Sequence, residues 1–125
     1  MATLLIVDDS AEKRAMLRSA AARRWSGAVR EAATTDEALA LLPSLPDVAA
    51  AFIDYYIPAA NGPAVIRVVR AAFPRAKIAL VSSADNRDNA AEAIAAGADE
   101  IVCVSLPGAA ERLGALLTEW EAEIA

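Results

Sequence analysis

The sequence contains no histidine, a single cysteine and only two lysines among its 125 residues. The missing histidine removes the commonest general base, the usual serine-hydrolase triad and most transition-metal sites. Cys103, the only cysteine, cannot form an internal disulfide and is expected to act as a small apolar residue. Any chemistry of this chain must therefore be carried by carboxylates and hydroxyls.

Long apolar runs and clustered positive charge are also missing. No apolar run approaches the roughly 20 residues that a membrane-spanning helix needs. The N-terminal residues lack the basic flank and the small-residue cleavage site of a secretory signal, which favours a cytoplasmic protein. A formal net charge of −5 argues against a nucleic-acid surface, because phosphate binding needs clustered lysine and arginine. We expect neither a membrane nor a nucleic-acid partner.

Short apolar runs alternate with longer amphipathic stretches along the whole chain. Continuous apolar runs of this length are typical of buried parallel strands. The runs are Leu4 to Val7, a weaker Ala28 to Ala32, Val48 to Ile53, Ile78 to Val81 and Ile101 to Val104. The length predicts one domain over residues 1–125, with a core that needs no disulfide or structural metal.

The stretches between the runs carry the signals of helix ends. These signals are Ser10 before the first helix, Thr34 and Glu37 at capping-box spacing, Pro43 after the second helix, Pro63 at a first helical position, Gly97 at a left-handed C-cap, and Pro107 at the start of the last helix. A 3.6-residue period predicts that one face of the last helix docks on the sheet. That face comprises Leu113, Leu116, Leu117, Trp120 and Ile124. Five strand-and-helix repeats with right-handed crossovers predict a doubly wound α/β fold, a parallel sheet with helices on both faces.

Polar residues directly follow three of the apolar runs. Asp8 and Asp9 follow the first run, Asp54 follows the third, and Ser82 follows the fourth. Ligands of open parallel sheets bind outside the carboxyl ends of the strands, so we expect these residues to share a pocket. Three carboxylates at one sheet edge repel each other, and Mg²⁺ suits such a site better than zinc or copper. Single strand-end aspartates can merely cap helices, but this combination favours a functional site.

Four motifs in this order resemble the signature of response-regulator receiver domains over the whole chain. They are Leu5-Ile6-Val7-Asp8-Asp9-Ser10, Ile53-Asp54-Tyr55-Tyr56-Ile57-Pro58 followed by Gly62, Leu80-Val81-Ser82-Ser83, and Ala96-Gly97-Ala98-Asp99. Each motif is weak alone, but together they are specific. The resemblance implies a five-stranded, flavodoxin-like sheet of order 2-1-3-4-5, similar to single-domain chemotaxis regulators.

The resemblance also implies a role for each residue of the pocket. Asp54 would accept a phosphoryl group from a histidine kinase or a histidine phosphotransfer protein. Asp9 and Asp54 would hold Mg²⁺ directly, together with the backbone carbonyl of Tyr56, while Asp8 acts through water. Ser82 would bond a phosphoryl oxygen and so sense phosphorylation. A downstream protein partner would bind the face made by the fourth helix, the fifth strand and the fifth helix.

Two positions depart from the family pattern. Val104 stands where receivers usually carry a lysine, and Ile101 stands where they usually carry a tyrosine or phenylalanine. Lys77 precedes the fourth strand, at the wrong end of the sheet, so it cannot replace the missing lysine. Lys13 and Arg14 lie on the first helix near the acidic pair, but the sequence leaves open whether either side chain reaches the pocket.

These departures leave two main interpretations and one weaker alternative. The first is a phosphorylatable receiver with an atypical switch, and the second is a phosphorylation-independent pseudo-receiver that acts as a protein-interaction module. The third, an aspartate-nucleophile phosphohydrolase, is disfavoured because Tyr56 occupies the usual place of the general acid. We expect no enzyme in the turnover sense, and at most slow self-phosphorylation and self-dephosphorylation.

Overall fold

The computed structural model describes residues 2–58, 60–84 and 86–124, in which strands and helices alternate from the first strand to the last helix. The strands are β1 (Thr3–Val7), β2 (Ala28–Ala32), β3 (Val48–Ile53), β4 (Lys77–Ser82) and β5 (Glu100–Cys103). The helices are α1 (Ala11–Arg24), α2 (Thr35–Leu41), α3 (Gly62–Ala72), α4 (Arg87–Ala96) and α5 (Ala109–Ile124), and a 3₁₀ turn (Leu42–Ser44) follows α2. The five predicted strands are all present, and the bounds of β2 and β3 are the predicted ones.

The strands form one parallel sheet in the order β2-β1-β3-β4-β5. This is the predicted flavodoxin-like order, and it confirms the doubly wound α/β fold. The order changes direction at β1, whose neighbours are β2 and β3. Parallel pairing places the carboxyl ends of β1, β3 and β4 side by side, so the residues that follow these strands are brought to one edge.

Alternating side chains of the strands build two separate apolar layers. On one face, Leu5 and Val7 of β1 pack with α2, α3 and α4. On the other face, Leu4 and Ile6 of the same strand pack with α1 and α5, where Phe52 and Trp120 have ring centroids 5.8 Å apart. β1 and β3 are buried along their whole length, as continuous apolar runs predict. The edge strand β2 alternates between exposed and half-buried residues up to the buried Ala32.

Most predicted helix signals lie where the sequence places them. Ser10 caps α1 by accepting a hydrogen bond from the Lys13 backbone N–H at 3.2 Å. Thr34 caps α2 in the same way through the Glu37 N–H, while the Glu37 carboxylate accepts from the N–H of Ala33, one residue before the cap. Gly97 ends α4 with φ +120°, a left-handed conformation that favours glycine.

The remaining signals need smaller adjustments. Pro43 lies in the 3₁₀ turn that follows α2, and Pro63 is the second residue of α3 after the cap Asn61.

The last helix departs from the prediction at both ends. α5 begins at Ala109 and not at Pro107, because Gly108 has φ +82°, which a right-handed helix cannot accommodate. Leu113, Leu116, Leu117 and Trp120 are buried as predicted. Ile124 keeps the helical period but is 38% exposed at the helix end, so its predicted docking is wrong. Among the described residues, no helix combines the length and the apolar character needed to cross a membrane.

Candidate functional site

Three carboxylates meet at the carboxyl edge of the sheet. Asp8 and Asp9 directly follow β1, and Asp54 directly follows the neighbouring strand β3. One oxygen from each carboxylate lies within 4.8 Å of the others. The structure therefore brings together the three acidic residues that the sequence singles out.

Asp54 is held rigidly by its surroundings. Its backbone N–H donates to the carbonyl of Val7 at 2.9 Å, and its Oδ1 accepts the Tyr55 backbone N–H at 2.8 Å. Oδ1 also accepts a hydrogen bond from Lys13 Nζ at 3.0 Å, whereas Oδ2 accepts none from the described residues. Burial raises the pKa of Asp54, the Lys13 ammonium opposes this increase, and the Asp8 carboxylate adds to it. One oxygen of a buried carboxylate is thus fixed while the other stays free.

Gly62 closes the loop that carries Asp54. Its N–H donates to the carbonyl of Tyr55 at 2.7 Å. A Cβ atom at this position would lie 2.1 Å from the backbone oxygen of Asp54, far inside van der Waals contact. This close approach gives a physical reason for the glycine that follows the Asp54 motif.

Asp8 is the most buried acid of the pocket, with 1% of its surface exposed, whereas Asp9 is exposed. Asp8 Oδ1 accepts the Ser10 N–H at 2.9 Å. Asp8 Oδ2 lies 2.9 Å from Lys13 Nζ as an ion pair, but it accepts no hydrogen bond. A buried carboxylate oxygen without a hydrogen-bond donor is well suited to a hard cation or to one of its bound waters. The donor set of the pocket therefore fits Mg²⁺.

Lys13 reaches the pocket, which the sequence alone left open. Its ammonium donates to the carbonyl oxygen of Val81 at 2.6 Å and contacts both Asp8 and Asp54. Arg14 does not join it, because its guanidinium binds the backbone carbonyl of Asp8 and the carboxylate of Glu31 on β2. The three aspartates thus share the pocket with one ammonium, and the exposed Glu12 of α1 also lines it.

The two serines at the carboxyl end of β4 have different surroundings. Ser82 is 2% exposed, and its Oγ accepts the Ala84 N–H at 3.2 Å. Ser83 is exposed and lines the pocket together with Asp54 and Val104. The predicted role of Ser82 as the phosphoryl sensor stays a prediction, with Ser83 as a second hydroxyl at the same edge.

The two atypical positions lie on opposite faces of the sheet. Val104 borders the pocket, and its backbone N–H donates to the carbonyl of Ser82 at 2.9 Å. Ile101 is half-buried against the core between the sheet and the helices α2, α3 and α4. An aliphatic side chain there has no hydroxyl and no ring with which to report a change at Ser82.

Two tyrosines connect the Asp54 loop directly to α4, a connection that no sequence motif indicates. The hydroxyl of Tyr55 donates to the carboxylate of Glu92 at 2.8 Å, and this bond is the main cause of a raised Tyr55 pKa. The hydroxyl of Tyr56 accepts the side-chain amide of Asn89 at 3.4 Å. Both partners lie on α4, so the residues after Asp54 are physically coupled to that helix.

Comparisons with known proteins agree with this geometry. The family model described as "Response regulator receiver domain" matches residues 4–113. Among curated proteins, no relative matches. A receiver domain protein (CheY-like) from Methanospirillum hungatei JF-1 is a structural relative with a TM-score of 0.79 and 23% identity, and the alignment covers 98% of each chain.

Two further solved structures are similar. A probable two-component response regulator/GGDEF domain protein has a TM-score of 0.82 and 26% identity over 98% of this chain, which spans 50% of that protein. A response regulator from Burkholderia pseudomallei, solved with a phosphorylated aspartic acid, a calcium ion and citrate, has a TM-score of 0.73 and 25% identity, covering 100% of this chain and 74% of that one.

Proposed function

The chain belongs to the response regulator receiver domain family of two-component signalling, and on that premise we propose that Asp54 accepts a phosphoryl group with the help of Mg²⁺. The donor is a histidine kinase or a histidine phosphotransfer protein. The observation that carries the proposal is the convergence of Asp8, Asp9 and Asp54 at one sheet edge. The phosphorylated aspartic acid and calcium ion of the Burkholderia relative support the same chemistry.

The surroundings of Asp54 suit a nucleophile that accepts a phosphoryl group. Its free oxygen Oδ2 attacks phosphorus, an O–P bond forms, and the bond from phosphorus to the donor breaks as the donor leaves with the electron pair. No proton is transferred to Asp54, but its carboxylate must be ionised. Burial works against ionisation and the Lys13 ammonium favours it. Oδ1 keeps its hydrogen bonds with Lys13 and the Tyr55 N–H, which hold the carboxylate in place.

The acidic residues have different roles in the binding of the metal. Asp9, Asp54 and the backbone carbonyl of Tyr56 would hold Mg²⁺ directly, and the buried Asp8 would act through water. When bound, Mg²⁺ neutralises the charge that builds up between the acceptor and phosphoryl oxygens. The exposed position of Asp9 and the buried position of Asp8 support this division.

Intact-mass analysis after incubation with Mg²⁺ and acetyl phosphate tests the proposal. We expect a single phosphoryl group that is labile at alkaline pH and absent in Asp54→Asn, because an amide is a far weaker nucleophile of similar shape. Asp36→Asn is the matched control, since Asp36 is an exposed acid on α2. A wild-type protein that no small donor or kinase modifies would contradict the proposal and favour the pseudo-receiver.

We further propose that a downstream protein binds the face made by α4, β5 and α5. Exposed apolar side chains support this surface, because Ile94 of α4 is 51% exposed and Leu106 after β5 is 50% exposed. The contacts of Tyr55 and Tyr56 with α4 give the Asp54 loop a route to this face. Since Ile101 carries no aromatic ring, we expect a small structural response of β5. Amide shifts after addition of beryllofluoride, a phosphoryl mimic, measure that response.

A further inference from the structure

The positive charge of the pocket comes from α1. Lys13 Nζ lies 2.9 Å from Asp8 Oδ2, 3.0 Å from Asp54 Oδ1 and 2.6 Å from the carbonyl oxygen of Val81. Its side chain is only 9% exposed, so the ammonium has exchanged most of its water for these three protein oxygens. This lysine therefore bridges the ends of β1, β3 and β4.

The position of Lys13 explains how it reaches so far. It lies in the first turn of α1, three residues after the cap Ser10, and side chains of a helix lean toward its N-terminus. The helix thus directs the lysine toward the carboxyl edge of the sheet. Val104 borders the same pocket from the end of β5, and its short side chain cannot fill the space of a lysine. No other lysine or arginine of the described residues contacts Asp54 through its side chain.

We propose that Lys13 takes over, from α1, the task that receivers give to a lysine at the end of the fifth strand: it binds a phosphoryl oxygen on Asp54. This inference rests on the proposed function, since it concerns the group that Asp54 accepts. The contacts of Lys13 Nζ with Asp8, Asp54 and Val81 place this ammonium in the pocket. Val104 occupies the position where receivers usually carry the lysine.

The donors of the ammonium are sufficient for this task. An ammonium has three donors, and in the structure they face Val81, Asp54 and Asp8. The contacts with Val81 and Asp54 fix the nitrogen beside the nucleophile. The contact with Asp8 Oδ2 is an ion pair without hydrogen-bond geometry. The third N–H of the ammonium is therefore the one that turns to a phosphoryl oxygen of the group bound to Asp54 Oδ2. In this role Lys13 stabilises charge and transfers no proton.

Three variants test the role of Lys13. Lys13→Met keeps the length of the side chain but removes the charge, and the double variant Lys13→Met with Val104→Lys returns a cation from the strand. Arg18→Met is the matched control, because Arg18 lies on the same helix and binds Glu31 outside the pocket. Each protein is titrated with Mg²⁺ alone and then with beryllofluoride in saturating Mg²⁺, following pocket amides. Labelling by acetyl phosphate is measured in parallel.

We expect Lys13→Met to weaken beryllofluoride binding and to slow labelling by about a hundredfold, the usual effect of removing one donor aimed at developing charge. Mg²⁺ alone should bind Lys13→Met at least as tightly as wild type, because no ammonium then competes for Asp8 and Asp54. This retained metal binding shows that the pocket of the variant is folded. The double variant should recover most of the loss, and Arg18→Met should match wild type.

The outcomes separate this inference from the proposed function. If wild type binds beryllofluoride and is labelled, but Lys13→Met does both equally well, the role of Lys13 is wrong and the proposed function stands. If wild type does neither, the proposed function fails and the role of Lys13 fails with it. Loss of Mg²⁺ binding in Lys13→Met, without recovery in the double variant, would show that Lys13 only supports the fold.

Discussion

Arg70 ties together the loops at the end of the sheet opposite the pocket. From α3, its guanidinium donates to the carbonyls of Pro74 at 3.0 Å, Ala76 at 2.6 Å and Gly97 at 2.7 Å. It also binds the carboxylate of Asp99 at 2.9 Å. One side chain thus joins the loop after α3 to the end of α4, and we predict that Arg70→Ala is strongly destabilising.

The size of the effect follows from the number of bonds and from their exposure. A hydrogen bond with a charged group contributes about 1.5–3 kcal/mol, so four acceptors set a high upper limit. The Arg70 side chain is 25% exposed, so water can replace part of these bonds in the variant. We therefore expect a loss of about 3 kcal/mol in the free energy of unfolding. For 125 residues this lowers Tm by about 10 °C.

Urea and thermal unfolding, followed by circular dichroism, measure this loss. Arg67→Ala is the matched control, because Arg67 lies on the same helix, is exposed and makes no side-chain hydrogen bond with the described residues. We expect the control to change stability by less than about 0.5 kcal/mol. Equal effects of the two substitutions would refute the reasoning, since they would show that losing a positive charge matters and the bonds of Arg70 do not.

Three further predictions concern the pocket and the loop that follows it. Gly62→Ala should destabilise the protein by at least about 2 kcal/mol, because the added methyl group would overlap the backbone of Asp54. Gly114→Ala should stabilise the protein by about 0.5–1 kcal/mol, because a methyl group on this face of α5 has room. Urea unfolding that gives both substitutions the same sign would contradict this prediction. Burial raises the pKa of Asp54 in the folded state above its unfolded value. The stability that comes from protonated Asp54 is therefore fully present below the unfolded pKa and is lost as pH rises through the folded pKa. Without Mg²⁺, Asp54→Asn should therefore be more stable than wild type at neutral pH, and an advantage that does not shrink on acidification would argue against burial as the cause. Glu92→Gln should lower the raised pKa of Tyr55 toward its ordinary value, seen as a shift in the phenolate absorbance titration, and an unchanged titration would mean that their hydrogen bond does not form in solution.

Local patterns were sufficient to predict the sheet and the acidic cluster. The bounds of β2 and β3 follow from the apolar runs, and the strand order follows from the receiver motifs. Asp8, Asp9 and Asp54 meet because parallel strands end at the same edge, which needs no knowledge of side-chain positions. Such features depend on residue type and spacing, and the sequence states both directly.

Features that depend on side-chain reach could not be predicted in the same way. Lys13 is four residues after Asp9, but only the structure shows its ammonium crossing to the carbonyl of Val81. The bond between Tyr55 and Glu92 joins residues that are 37 positions apart in the chain. The start of α5 was misplaced because Pro107 suits a first helical position, whereas the backbone conformation of Gly108 delays the helix.

The supply of the pocket's ammonium from α1 separates the charges of the pocket from the last strand and the last helix. The charged residues of the described pocket all precede β4, and Val104, directly after β5, contributes an aliphatic wall. A lysine at the position of Val104 would place part of this charge directly after β5. In this chain β5 and α5 hold no charged residue of the described pocket, so substitutions there leave every described charge around Asp54 in place.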